Sequence, residues 1–388
     1  MAILLKGGMV YQGHEFVPAD LLIQEGVIGR IGNGLAEEGA CVVDVSGKQI
    51  VPGFLDIHTH GAVGVDVNGA KAEDYEKICR FQASQGTTGW LCSVLTDTRE
   101  QTLRCIDEYK RWKTLEHKGS RLLGIHLEGP FLNSEYKGAM PEHLLQKPNE
   151  ELVKEYQKAA GGEIRYITVS PEIEGMAGFI PKLRELGMVV AIGHSGADYE
   201  TARKAIHNGA TAATHTGNAM RLLHQHEPAI WGAVLEDEKV YCEMICDGRH
   251  LHPGTVRLIL KTKGLYQAVA VTDSIMAAGL PDGNYKLGVN DVVVADGDAR
   301  LANGNSRAGS TLTTGKALEN LLAFTGRPLK EIVPLLTENP AKLIGVFDRV
   351  GSLEEGKDAD LVVLEEGGRI GATYVKGECC FLAGTASC

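Results

Sequence analysis

The chain has 388 residues with 39 basic and 50 acidic side chains, a formal net charge of −11 with histidine neutral. That balance argues against a nucleic-acid binder, which needs a basic face, and 44% hydrophobic with 23% charged residues excludes a disordered chain. The length accommodates either several average domains or one large (β/α) barrel with an appendage.

Residues 1–50 alternate apolar and polar positions between turns such as Gly7-Gly8 and Gly32-Asn33-Gly34, the pattern of a small antiparallel sheet. The amino terminus has only a four-residue apolar run and no cleavage layout, so no signal peptide is expected. No apolar stretch approaches the ~20 residues needed to cross a bilayer. The nine cysteines form no Cys-x-x-Cys pair, and Cys79, Cys92, Cys105, Cys242 and Cys246 lie in predicted elements as reduced core thiols. A cytoplasmic protein without a membrane partner is the expectation.

From residue 51 to about 350, short runs rich in Val, Ile and Leu alternate with amphipathic helical stretches, as parallel β/α units do. Eight runs end near His60, Thr96, Glu128, Ser170, His194, His215, Asp247 and Asp273. Eight units predict a closed (β/α)8 barrel. Helices are predicted over 72–85 and 100–113, and a third from Asp198 to Gly209. A hairpin is expected over 284–301. Residues 351–388 again read as strands, so both chain ends are expected to join in one small β-sandwich domain with the barrel inserted in it.

Chemistry concentrates at the strand ends. In Asp56-Ile-His58-Thr-His60 the alternation of strand side chains points both histidines into the barrel rim, and converging neutral imidazoles can share a divalent metal. Glu128, His194, His215 and Asp273 close four further strands, at the rim where barrel enzymes build their sites. His126 lies deeper on the strand of Glu128 and is assigned a supporting or packing role. A bound divalent ion lowers the pKa of water and polarises a carbonyl. Asp273 is then placed as general base and, after attack, general acid, so hydrolysis of an amide or related C–N bond is expected.

The His-x-His, Glu, His, His, Asp series resembles the amidohydrolase superfamily. More narrowly, His126-Leu-Glu-Gly-Pro-Phe131, Gly193-His-Ser195, His215-Thr-Gly-Asn-Ala-Met220, Asp247-Gly-Arg-His250 and Thr272-Asp-Ser274 resemble the N-acetylglucosamine-6-phosphate deacetylase family. The resemblance runs from the first barrel strand to Gly356-Lys-Asp-Ala-Asp360. It implies Glu128, His194 and His215 as metal ligands, Asp273 as acid/base, and His58 and His60 as ligands of a second ion. One or two divalent ions are therefore expected, with zinc foremost and iron, cobalt or manganese sharing the ligand set. It further implies substrate contacts from Ala139, Asn218, Ala219, His226 and Ala308. His250 is implied to reach the phosphate of a neighbouring subunit's substrate, hence a homodimer with the phosphate site completed across the interface.

Two departures from the family pattern stand out. Many members read Lys-Gly-Ala-His where this chain has Lys137-Gly-Ala-Met140, and a thioether cannot donate the hydrogen bond that polarises the amide carbonyl; His143 is a nearby substitute. In Gln225-His226-Glu-Pro228, many members carry an arginine for the 6-phosphate. Arginine grips phosphate bidentately, whereas histidine is only partly charged at neutral pH. Any phosphate site then relies on local groups such as His226, His250, Arg221 or Arg249. N-acetylgalactosamine 6-phosphate or an unphosphorylated N-acetyl sugar are the alternative substrates, and a non-catalytic sugar- or metal-binding protein is the remote one. Lysine-bridged amidohydrolases are disfavoured because Tyr166-Ile-Thr-Val-Ser-Pro-Glu172 has no lysine. The P-loop-like Gly351 to Asp358 places Asp where Ser or Thr should hold magnesium.

Overall fold

A computed structural model describes residues 2–304 and 306–384, so the last four residues of the expected carboxy-terminal β segment lie outside the described residues. Eight parallel strands form the barrel: Phe54–Thr59, Thr87–Leu95, Arg121–Glu128, Ile164–Val169, Val189–Ile192, Ala212–Ala213, Tyr241–Ile245 and Ala268–Val271. Each pairs with its neighbours in sequence. All nine residues of Thr87–Leu95 are buried, which is why these runs read as continuous rather than alternating.

Closure between the last and first strands is made just beyond the regular ladder. The Asp273 amide donates to the His58 carbonyl and the His60 amide donates to the Ser274 carbonyl, both at 2.8 Å. The Asp56 carboxylate reinforces this seam, accepting the Thr272 hydroxyl at 2.6 Å.

The helices surround the barrel and bury one face each. In Arg99–Trp112 the Thr98 side chain caps the Gln101 amide, and Cys105, Ile106, Tyr109 and Trp112 face inward. Asp198 caps Tyr199–His207 in the same way. The expected 72–85 helix begins as one 3₁₀ turn, Ala72–Asp74, before the α-helix Tyr75–Ser84. After the eighth strand, residues 284–301 form three antiparallel strands where a hairpin was expected: Gly283–Leu287, Asn290–Ala295 and Asp298–Leu301. The second turn, Asp296-Gly297, supplies the extra reversal, with both residues at positive φ.

Strands from the two chain ends share one sheet. Gln49–Pro52 pairs antiparallel with Leu361–Leu364, and Leu5, Val10, Leu21, Ile50, Leu361, Val363 and Tyr374 form its own apolar cluster. The sheet is mixed rather than purely antiparallel: Ile3–Gln12 runs parallel to both Cys41–Asp44 and Gln49–Pro52. Residues 33–40 cross over before pairing resumes, and a crossover sets parallel direction where a hairpin cannot. The stretch 351–358 precedes a strand rather than a helix, and the Lys357 ammonium donates to the Phe347 carbonyl at 2.7 Å and the Ser352 hydroxyl at 2.6 Å. It is therefore not a phosphate-binding loop.

Arg121, at the start of the third barrel strand, bonds Asp358 at 2.8 Å and also Asp360. Burial raises the Asp360 pKa, and the Arg121 charge opposes that rise. Removing one partner of a buried ion pair typically costs about 3–5 kcal/mol. Arg121→Met is accordingly expected to lower unfolding stability by at least about 2 kcal/mol, because Arg121 is only partly enclosed; denaturant unfolding measures this, and a change within about 0.5 kcal/mol would reject the role of this contact.

Candidate metal centre and active site

Three strand-end residues share an unusual backbone. His194, His215 and Asp273 have φ of +46°, +30° and +49°, in the left-handed region that residues with a Cβ rarely occupy. Such strain is tolerated where surrounding bonds over-determine it, and it turns each side chain back across the rim. Gly309 permits a close approach to this backbone: a Cβ there would lie 2.5 Å from Ile275 Cγ2 and 2.8 Å from the Asp273 carbonyl oxygen.

The six expected residues converge and are buried. His58, His60 and Asp273 form one group, and Glu128, His194 and His215 a second. Glu128 sits between them: its Oε1 is 3.0 Å from His194 Nε2, 3.3 Å from His215 Nε2 and 3.4 Å from His58 Nε2, while Oε2 is 3.1 Å from His60 Nε2. Asp273 Oδ1 is 3.2 Å from His60 Nε2.

The opposite ring nitrogens fix the tautomers. His60 Nδ1 faces the Ser93 carbonyl at 3.0 Å, and His194 Nδ1 faces the Tyr136 carbonyl at 2.8 Å. His58 Nδ1 faces the Glu243 carboxylate at 3.0 Å. A carbonyl or carboxylate can only accept, so each Nδ1 carries a proton, and in the neutral ring each Nε2 then presents a lone pair. Yet His58 and His60 Nε2 are 3.2 Å apart, and His194 and His215 Nε2 are 3.0 Å apart. Lone pairs at that separation repel unless a cation lies among them. His215 Nδ1 is itself buried without a hydrogen-bond partner.

Electrostatics carry the same demand. Burial would depress the His60 pKa, but hydrogen bonds and charge from Asp273 and Glu128 push it up to about 9. His58 is likewise raised against burial by Glu128, Asp273 and Glu243. Burial favours protonating Glu128 and Asp273, but the surrounding imidazoles hold both carboxyls below their ordinary range. The cluster attracts positive charge, and a donor set of imidazole nitrogens and carboxylates fits zinc and related divalent ions.

A cavity of about 400 Å³ opens over the cluster, lined by Ala139, Met140, Asn218, Ala219, His250 and Arg307 among others. Ala308 is buried beneath its rim, between lining residues Arg307 and Gly309. His226 is exposed and does not line this cavity, nor does His143. Arg221 pairs with Glu227, and Arg249 bonds the Asp296 carbonyl. A larger hollow nearby, about 490 Å³, contains Asp66, Asn68, Asp97 and Lys286 but none of the cluster residues.

His126 is fully buried below the cluster, bridging Ser93 Oγ and Thr168 Oγ1 at 2.9 Å each. Sequence reasoning missed Glu243, which also accepts from the Tyr166 hydroxyl at 2.6 Å and the His215 amide at 3.0 Å. A lone carboxylate inside the apolar strand Tyr241–Ile245 was the available signal. Arg307, in the same loop as Ala308, also lines the cavity.

Among the described residues, no helix is long and apolar enough to cross a membrane. An amidohydrolase family model matches residues 49–380. The N-acetylglucosamine-6-phosphate deacetylase of Lysinibacillus sphaericus is 33% identical over 89% of both chains. The N-acetylgalactosamine-6-phosphate deacetylase of Escherichia coli O157:H7 is 30% identical over 92% of this chain and 93% of its own. The structure of a mutant Mycobacterium smegmatis N-acetyl-D-glucosamine-6-phosphate deacetylase in complex with N-acetyl-D-glucosamine-6-phosphate superposes with a TM-score of 0.91. Identity there is 32%, covering 98% of this chain and 99% of that one. The chain belongs to the amidohydrolase family and, within it, to the N-acetylglucosamine-6-phosphate deacetylases.

Proposed function

We propose that the protein hydrolyses the acetamide of N-acetylglucosamine 6-phosphate to glucosamine 6-phosphate and acetate. The observation that carries this reading is the placement of Asp273 beside a converging His and Glu cluster at the floor of a sugar-sized cavity.

His58, His60 and Asp273 would hold one divalent ion and Glu128, His194 and His215 another, with Glu128 reaching both groups. Such an ion, when bound, supplies Lewis acidity for water activation and carbonyl polarisation. Asp273, held ionised by its imidazole neighbours, accepts a proton from the attacking water and then delivers it to the departing nitrogen. Amide and water thus become amine and carboxylic acid. Met140 lines the cavity but has no proton to give the acetyl oxygen. Its sulfur instead adds apolar wall against the acetyl group.

Asn218, Ala219 and the Ala308 loop face the sugar in this reading, with Ala139 beside the acetyl end. His250, oriented by Asp247 at 2.7 Å, and the lining residue Arg307 supply hydrogen-bond donors near the rim. His250 is the residue that the family resemblance implies reaches a neighbouring subunit's substrate, whereas the exposed His226 lies outside this cavity. The protein is accordingly read as a cytoplasmic homodimer.

Asp273→Asn keeps shape but removes the base, and is expected to lower kcat by at least about 100-fold while substrate binding persists; near-normal turnover would reject the assignment. Chelation should abolish activity and zinc or cobalt restore it, whereas a metal-free preparation of full activity would contradict the metal-dependent reading. Deacetylation of N-acetylglucosamine 6-phosphate should exceed that of its galactosamine counterpart and of both unphosphorylated sugars in kcat/KM. Equal or better turnover of an unphosphorylated sugar overturns the substrate assignment.

A further inference from the structure

We propose that Glu243 is a positioning residue that locks two metal ligands at once, so that one buried carboxylate ties together both halves of the cluster. It lies on the seventh barrel strand with no exposed surface. Its Oε1 accepts the Tyr166 hydroxyl at 2.6 Å. Its Oε2 accepts the His215 amide at 3.0 Å and the His58 Nδ1 proton at 3.0 Å.

An amide can only donate, so Oε2 must accept from His215. Accepting from three donors on three different strands holds the Glu243 carboxyl in one orientation. The His58 proton is thereby confined to Nδ1, which leaves Nε2 free to ligate and makes the ring a stronger base. The bond to the His215 amide acts on the second group through the backbone, where φ of +30° must be held in place. His126 stands edge-on to both His58 and Tyr166, with ring centroids 4.6 and 4.9 Å away.

The inference rests on the metal-cluster reading of the site and is tested separately from it. The intact protein is stripped and titrated with Zn²⁺ and Co²⁺ against a chromophoric chelator, in wild type, Glu243→Gln, Glu243→Ala and Tyr166→Phe. Glutamine preserves shape and one acceptor oxygen but removes the charge. Glu243→Gln is expected to weaken divalent-ion affinity about 10-fold and Glu243→Ala up to about 100-fold. Tyr166→Phe, which leaves both ligand contacts intact, is expected to cause a smaller loss. The visible absorption of the Co²⁺-loaded protein should change in Glu243→Gln, because a reoriented ligand alters the ion's field. Unchanged affinity and spectrum in Glu243→Gln would overturn the inference, as would affinity lost only in step with thermal stability of the metal-free protein. If Glu243→Ala fails to fold, the Gln and Phe variants still decide. A wild-type protein that binds neither ion would instead refute the metal-cluster reading itself.

Discussion

The closing seam of the barrel is the constraint on which the site depends. Two hydrogen bonds, from the Asp273 amide to the His58 carbonyl and from the His60 amide to the Ser274 carbonyl, join the ends of the first and last strands. They also bring the His-x-His pair against Asp273. Register is therefore function here: a slip of one residue would turn His58 and His60 out of the rim. Asp56 guards that register from beneath, fully buried. Its burial pushes its pKa up to about 6 even though Thr272 and His58 donate to it. The seam thus spends a costly buried carboxylate on alignment, where an apolar side chain would pack more cheaply but leave the Thr272 hydroxyl without this acceptor.

Much of this was legible in the residues because strand geometry is so restrictive. His58, His60, Glu128, His194, His215 and Asp273 each end an apolar run, and eight parallel runs admit few arrangements other than a barrel with all ends on one rim. The groups that orient the ligands were harder to see. The acceptors for His60 and His194 are the backbone carbonyls of Ser93 and Tyr136, and every residue has a carbonyl. Glu243 was visible as an anomaly in its strand, yet its partners come from strands one, four and six, which only the closed barrel brings together. Direction of pairing was not encoded either. The alternation in residues 1–50 identified strands, whereas the crossover at 33–40 decided that two of them run parallel to the first.

The cavity rim modifies the meaning of the acidic composition. A net charge of −11 gives no long-range attraction for an anionic sugar, so recognition must be short-ranged. Arg307 and His250 are suitably placed on the lining, but each already has a carboxylate partner. Arg307 Nε bonds Asp298 at 2.9 Å, and His250 Nδ1 bonds Asp247 at 2.7 Å. Asp298 also holds Arg300, so two guanidinium groups share this carboxylate. The carboxylates order both side chains in advance, which reduces the entropy lost when a ligand arrives.

The cluster itself completes the electrostatic argument. With neutral imidazoles, Glu128, Asp273 and Glu243 place three negative charges in a buried volume. Such a centre repels a sugar phosphate and, left alone, draws protons onto His58 and His60, as their raised pKa values indicate. One divalent ion leaves a single negative charge, and two turn the centre positive. Occupancy of both groups would therefore change the sign of the field at the floor of the cavity, in addition to the Lewis acidity such ions would supply. In this chain, where Met140 offers no hydrogen bond and His226 stands outside the cavity, that change in sign would fall on the reacting end of the substrate, where the amide oxygen gains negative charge during attack. The carboxylates that make the empty centre unfavourable are the same groups that make an occupied one effective.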